Sequence, residues 1–463
     1  MTTDPARSDD SHAKGLRRLV RARRGNVAII VSFVIAVLVF LAGMGVDYTL
    51  ATRRQDQING FADAAALAAV TPNMMSQSSS DAQAAAQAMF LSQLATVSNV
   101  SYSPANVTIT ATDTTTATSV DRIIKVSYTA TSANTFAAVL GMASIPIGGS
   151  ASAKSSVAPR IDFYMLLDTS PSMAIAATQA GINTMVANTA PQSGCAFACH
   201  ETNPANDNLQ NPSHITCVGD TTPNQSFPNG GEDNYALARC LGVSLRIDLV
   251  NQATQNLMST AQTTAAENHT TYRAAIYTMD YGFNTLATLT NSFTNLRAAA
   301  ANIAAVEVYD NGCLFYPNTC NNDEDSYLDT GLSNLNGVMP NPGNGTSNAG
   351  DLPQEVVFIV SDGVNDELLN GNRVMAPINT RANWCTTIKN RGIRIAFLYL
   401  TYYPLPTNQF YSNNIAPFQS QIAIDAQNCA SPGLYFEVST GGDINAAMTA
   451  LFQKAVSTAH LTQ

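Results

Sequence analysis

The chain has 463 residues, 45% of them apolar and only 12% charged, and its formal net charge is −10. That length is enough for two or three domains with sizeable cores. Seven Lys or Arg fall within the first 25 residues, so the rest is strongly acidic and offers no basic face for nucleic acid.

Residues 1–25 are polar and basic and read as a disordered cytoplasmic tail. Residues 26–46 then run uncharged for 21 positions. As a helix rising about 1.5 Å per residue, this stretch spans roughly 30 Å, the thickness of a bilayer's hydrocarbon core. The basic flank predicts an N-terminus in the cytoplasm and the bulk of the chain on the far side. The run is too long for a signal-peptide core and no small-x-small cleavage site follows, so a retained single-pass anchor is expected.

Residues 47–155 read as a small α+β module. Ile58, Ala62, Ala65 and Ala69 recur at helical spacing, as a stripe that packs either on the module itself or on a partner. Thr71-Pro72 ends that helix, and Ser80 caps a second, Ala-rich one over residues 81–94. Residues 107–111 and 124–130 alternate like half-buried strands, with Val126 and Tyr128 facing one way and Lys125 and Ser127 the other. Nothing in this module points to chemistry.

Ala158-Pro159 marks the boundary to a second domain, residues 156–463. The apolar run Ile161–Asp168 reads as a buried parallel strand and breaks into Asp168-Thr169-Ser170-Pro171-Ser172. A second such run, residues 356–360, ends in Ser361-Asp362-Gly363. Strands delivering Asp168 and Asp362 to one sheet edge make an oxygen-lined site suited to a hard cation, which takes about six oxygens and keeps some waters. Helices are expected over 175–187, 245–258 and 384–390, and a strand-to-helix passage over 293–306. Further strands are expected at 272–278, 393–400 and 434–438. The chain closes with a helix over 443–456, capped by Asp443 and striped by Ile444, Ala447, Leu451 and Ala455. Strands alternating with helices imply α/β architecture with a mainly parallel sheet covered on both faces. Insertions interrupt it at 192–241, 310–325 and 340–354, the last containing a flexible loop over 343–351.

All eight cysteines lie beyond the apolar segment, in a compartment where disulfides form. Proximity favours Cys313–Cys320 and Cys195–Cys199, leaving Cys385–Cys429 and Cys217–Cys240 as further candidates. Cys195 to His200 is one residue too long for c-type haem attachment. Zinc on Cys195, Cys199, His200 and His214 would need thiolates that an oxidising compartment removes. None of the five His residues sits in a catalytic motif with Ser170 or Ser172, so an enzyme is not expected.

Asp168-Thr169-Ser170-Pro171-Ser172 resembles the Asp-x-Ser-x-Ser signature of von Willebrand factor A domains, whose doubly wound sheet carries a metal-ion-dependent adhesion site. The resemblance implies Mg²⁺, Mn²⁺ or Ca²⁺ held by Asp168, Ser170, Ser172, Ser326 and Asp362. Ser326 stands where the family has a Thr, with Thr330 as the alternative third-loop ligand. It further implies a protein partner whose Glu or Asp completes the metal's shell. The entry segment, from Arg24-Gly25-Asn26 through Gly45-Val46-Asp47-Tyr48 to Ala68-Ala69, resembles TadG-like proteins of the tight-adherence (Tad/Flp) pilus systems. The expectation is an inner-membrane, largely periplasmic pilus assembly protein that engages pilin or its machinery. The alternatives are a surface adhesin contacting host or matrix, and a periplasmic haem or metal enzyme. The Gly25-Asn26 junction resembles a prepilin peptidase site, although Ile30 replaces the Glu expected five residues into a mature pilin.

Overall fold

The computed structural model describes residues 24–116, 119–189, 194–196, 237–239, 241–305, 326–370 and 372–457. All but the last two residues of the basic tail, most of the insertion at 192–241, the insertion at 310–325, and the candidate pairs Cys313–Cys320 and Cys217–Cys240 lie outside these residues, as do Cys199, His200 and His214. The chain divides into two compact units.

The first unit is built on one continuous helix, α1 (Arg24–Ala68). Its first half is mostly apolar and exposed on nearly every face, its most apolar 18-residue window has a mean hydropathy of 3.0, and the helix is long and apolar enough to cross a membrane. In its second half the small side chains gather on one side. Ile58, Ala62, Ala65 and Ala69 are all buried, packed with Ala82, Ala86 and Phe90 of α2 (Ser79–Leu94). The stripe thus belongs to its own module. Against it stands a sheet of β1 (Val100–Ser101), β2 (Val107–Thr115), β3 (Val120–Ala133) and β4 (Ser144–Val157), with β3 pairing with each of the others and β1 antiparallel to it. β3 buries every second residue, Ile124, Val126 and Tyr128 among them, while Lys125 points to solvent. β4 was not foreseen, because its run of Gly, Ser and Ala carries little alternation of hydrophobicity.

The second unit holds a six-stranded sheet of β5 (Ile161–Asp168), β6 (Tyr272–Met279), β7 (Phe283–Thr290), β8 (Gln354–Ser361), β11 (Arg394–Leu400) and β12 (Tyr435–Val438). Its spatial order is β12-β11-β8-β5-β6-β7. The first five in that order are parallel neighbours, and β7 closes the edge antiparallel to β6. β5 lies in the middle with every residue buried. Its odd positions, Phe163, Met165 and Leu167, share a core with Val250 and Leu257 of α4 (Arg246–Glu267) and Leu451 and Phe452 of α10 (Ile444–Ser457). Its even positions, Tyr164 and Leu166, face Leu332 and Leu335 of α6 (Leu328–Val338) and Ile422 of α9 (Gln419–Cys429). Each large apolar side chain buried this way contributes about 1.5–3 kcal/mol.

Several expectations need correction. The helix after the Asp168 loop, α3, spans Gln179–Asn188 and is capped by Thr178, because residues 171–176 are spent on a 3₁₀ turn and a bridge. Residues 293–306 contain no strand among those described; α5 spans Phe293–Ala300. The loop at 343–351 is stitched rather than loose, since Asp351 accepts from the Asn344 and Thr346 N–H groups at 2.8 and 2.7 Å. A ribbon of β9 (Val364–Leu369) and β10 (Asn372–Pro377) follows Asp362 directly. Cys385, in α7 (Trp384–Asn390), is joined to Cys429 at the end of α9, with α8 (Gln409–Asn414) between them in the chain.

At the edge where the strands begin, Asp162, Arg273 and Glu355 occupy matching register on β5, β6 and β8. Arg273 grips Asp162 through Nε and Nη2, leaving Glu355 buried with neither oxygen bonded. Burial first, then the charge of Asp162, pushes the Glu355 carboxyl up to about 8. A carboxyl raised in the folded state contributes stability that is full below its unfolded value and is lost as pH climbs through its folded one. Glu355→Gln is accordingly expected to match the parent chain near pH 5 and exceed it by about 2 kcal/mol near pH 9, read from denaturant midpoints.

A candidate metal centre at the sheet's C-terminal edge

Parallel strands all deliver their ends to one edge, so Asp168 from β5 and Asp362 after β8 come together there. Asp168 is fully buried. Its Oδ1 accepts the Ser170 N–H at 2.9 Å and its Oδ2 accepts the Ser361 hydroxyl at 2.6 Å. These bonds fold the loop back so that the Ser170 and Ser172 hydroxyls stand 3.0 Å apart. The turn after Asp362 needs glycine. Gly363 has φ +76°, and a Cβ there would meet Ile422 of α9 at 2.8 Å. Asp362 Oδ1 accepts the Val364 N–H at 3.3 Å, the Ser172 hydroxyl also helps to hold the carboxylate charged, and Oδ2 is buried with no close hydrogen-bond partner.

Ser326 approaches from the third side. It bridges to Asp366 of β9 through reciprocal backbone bonds of 3.2 and 2.8 Å, and its hydroxyl donates to the Val364 carbonyl at 2.8 Å. Ser170, Ser172 and Ser326 line one small open pocket of about 30 Å³, room for little more than a water or an ion. Its wall continues through Asp366, Arg373, Tyr402 and Phe410. Thr330 is exposed at the start of α6, where its N–H donates to Glu367, and it is not part of this lining. Asp168 and Asp362 are not part of it either. Three serines line the pocket, and the two buried carboxylates lie outside that lining, Asp168 held by the Ser170 N–H.

Two buried carboxylates side by side are costly unless something positive joins them. Burial, and secondly the charge of Asp362, pushes Asp168 up to about 7; burial raises Asp362 as well. The positive charge present is Arg246, the first residue of α4, buried with its Nη2 donating to the Thr401 carbonyl at 2.9 Å. It is the largest influence holding Asp362 in its charged form. Among the described residues no three or more His, Cys, Asp or Glu stand together as a metal cluster. A cation here therefore depends on hydroxyls and water in front of two carboxylates, a donor set that suits Mg²⁺ better than zinc. The unbonded Oδ2 of Asp362 and the like charge beside it fit such an ion.

Sequence reasoning missed Arg246, Ser361 and the β9–β10 ribbon. Ser361 was visible beside Asp362, but a lone Arg opening an amphipathic helix carries no signal of its own. Arg246→Met should lower metal-free stability by about 3 kcal/mol, since it strips the buried carboxylates of their counter-charge. Adding Mg²⁺ should recover much of that loss, which paired thermal melts with and without the ion would read.

Comparison with known proteins places the chain as follows. No family model matches it, and no curated protein matches it. Among solved structures it is similar to the von Willebrand factor domain of the type V pili tip protein Mfa5 from Porphyromonas gingivalis. That likeness has 10% identity, covers 66% of this chain and 98% of that one, and has a TM-score of 0.35. The protein BatB from Bacteroides thetaiotaomicron is similar at 10% identity over 64% and 100% of the two chains, with a TM-score of 0.30. A mussel byssus matrix protein, described with a zinc-occupied MIDAS motif, is similar at 12% identity over 64% and 46%, also at 0.30.

Proposed function

We propose that the chain is a single-pass membrane protein whose second unit binds a protein partner through a divalent cation. The observation carrying this reading is the buried pair Asp168 and Asp362 next to a small pocket lined by Ser170, Ser172 and Ser326, with Asp362 Oδ2 lacking a close hydrogen-bond partner. The sheet, with helices on both faces, reads as the doubly wound von Willebrand factor A fold that the Asp-x-Ser-x-Ser sequence resembles. Mg²⁺ is the favoured ion, with Mn²⁺ and Ca²⁺ as chemically close substitutes.

When bound, the ion supplies a Lewis-acidic position open toward the pocket. Ser170, Ser172 and Ser326 would ligate through their hydroxyls, and Asp168 and Asp362 would balance charge and orient water. Ser361 and the Ser170 N–H hold Asp168 in place for this role. Among the described residues no His lines the pocket, so the site is suited to binding rather than turnover, and the group it would take is a partner's Glu or Asp. Together with the resemblance of the entry segment, this favours a TadG-like role in Tad/Flp pilus assembly, with the N-terminus cytoplasmic and the bulk periplasmic.

The test is cosedimentation of the chain with pili sheared from its own cells. Retention in Mg²⁺ that is lost with EDTA and in Asp168→Ala supports the reading. Retention indifferent to chelator and variant contradicts it, and metal-dependent binding to host or matrix protein alone would favour the adhesin.

A further inference from the structure

The first unit carries an apolar surface at the level where α1 leaves its uncharged stretch. Residues 126–153 contain no charged side chain. Within them, a 3₁₀ turn over Ala137–Leu140 connects β3 to β4 and exposes Phe136 (41%), Val139 (73%), Leu140 (53%) and Met142 (56%). Four large apolar side chains exposed on one short turn call for a covering surface.

The turn is fastened to α1 at two points. Asp47 is buried, and its carboxylate accepts the N–H groups of Thr135, Phe136 and Ala137 at 2.9, 2.9 and 2.7 Å. One turn earlier on the helix, Phe136 lies so close that a Cβ on Gly43 would meet its ring at 2.6 Å. Gly43 belongs to the uncharged run of residues 26–46, so the turn overlaps the end of the stretch that is apolar enough to cross a bilayer. The one carboxylate at this level is hidden among backbone N–H groups. Arg53 is exposed on α1 about 10 Å beyond Val46, within reach of headgroup phosphates.

We propose that residues 136–142 are a second membrane contact, with Phe136, Val139, Leu140 and Met142 entering the lipid beside α1. The occupant is the acyl and headgroup boundary of the bilayer, as the continuity of the patch with the apolar helix indicates. Asp47 sets the depth by fixing the turn to the helix, so the first unit is held on the membrane surface at two points. The proposal rests on α1 spanning the membrane.

The test places single Trp reporters in the full-length chain, reconstituted in phosphatidylethanolamine and phosphatidylglycerol vesicles with brominated acyl chains. Trp384 of the parent chain serves as background. Phe33→Trp reports the span and Leu67→Trp the water-facing part of the helix. Val139→Trp should lose about half its emission, as expected for a side chain 5–10 Å inside the boundary, while Leu67→Trp stays bright. Quenching at Phe33 but not at Val139 overturns the proposal and leaves the span standing. No quenching at either removes both. A Val139 reporter untouched by lipid but shielded from acrylamide would mean that protein covers the patch, which also overturns it.

Discussion

Asp168→Asn is expected to abolish stabilisation by Mg²⁺ while leaving the metal-free protein at least as stable as the parent at neutral pH. The two halves of this result have one cause. Without metal, Asp168 and Asp362 repel each other in a buried space, and the substitution removes one of the charges. With metal, those same charges are expected to hold the ion. The parent chain should gain about 2.7 kcal/mol at a hundredfold excess over Kd, or about 5 °C in Tm. The variant should gain nothing.

The pH dependence has a definite sign. Asp168 is raised to about 7, so its metal-free contribution is full below the unfolded carboxyl range and is lost as pH rises toward neutrality. Metal binding runs the other way, because the proton must leave. Mg²⁺ affinity is expected to fall about tenfold per pH unit below neutrality, and calorimetry across that range reads the slope. A flat profile would mean that the charge of Asp168 does not help to hold the ion.

The second large effect is predicted for the Cys385–Cys429 bond. It closes a loop 44 residues long between two buried positions. A loop of that length contributes about 4 kcal/mol through the entropy it removes from the unfolded chain. Replacing both cysteines with Ala should lower Tm by about 10 °C. The cost reaches the site, because α9, which ends at Cys429, presses Ile422 on Gly363 beside Asp362. Mg²⁺ affinity in this double variant should weaken without vanishing. Melting curves with and without reductant check the first part, and metal titration the second.

These residues also show what could be read from the sequence. β5, β8 and β11 were visible because strands buried on both faces carry continuous apolar runs, as residues 163–167, 356–360 and 395–400 do. The last helix was visible from its 3.6-residue stripe. β7, Phe-Asn-Thr-Leu-Ala-Thr-Leu-Thr, and the β9–β10 ribbon were not. Their polar, partly exposed residues are held by pairing with a neighbouring strand rather than by an internal pattern. At the site, Asp168, Ser170, Ser172 and Asp362 stood out because each follows a strand at the expected edge. Ser326 came from resemblance alone. Arg246 was out of reach, since its partners are 116 or more residues further along at Asp362 and Thr401, and only folding brings them together.

The most direct test of the account is a calorimetric titration of Mn²⁺ and Mg²⁺ into the purified chain and its Asp168→Ala variant. The account predicts about one ion bound per chain and none in the variant. Equal binding by a folded parent and a folded variant, or none by a well-folded parent, would contradict it.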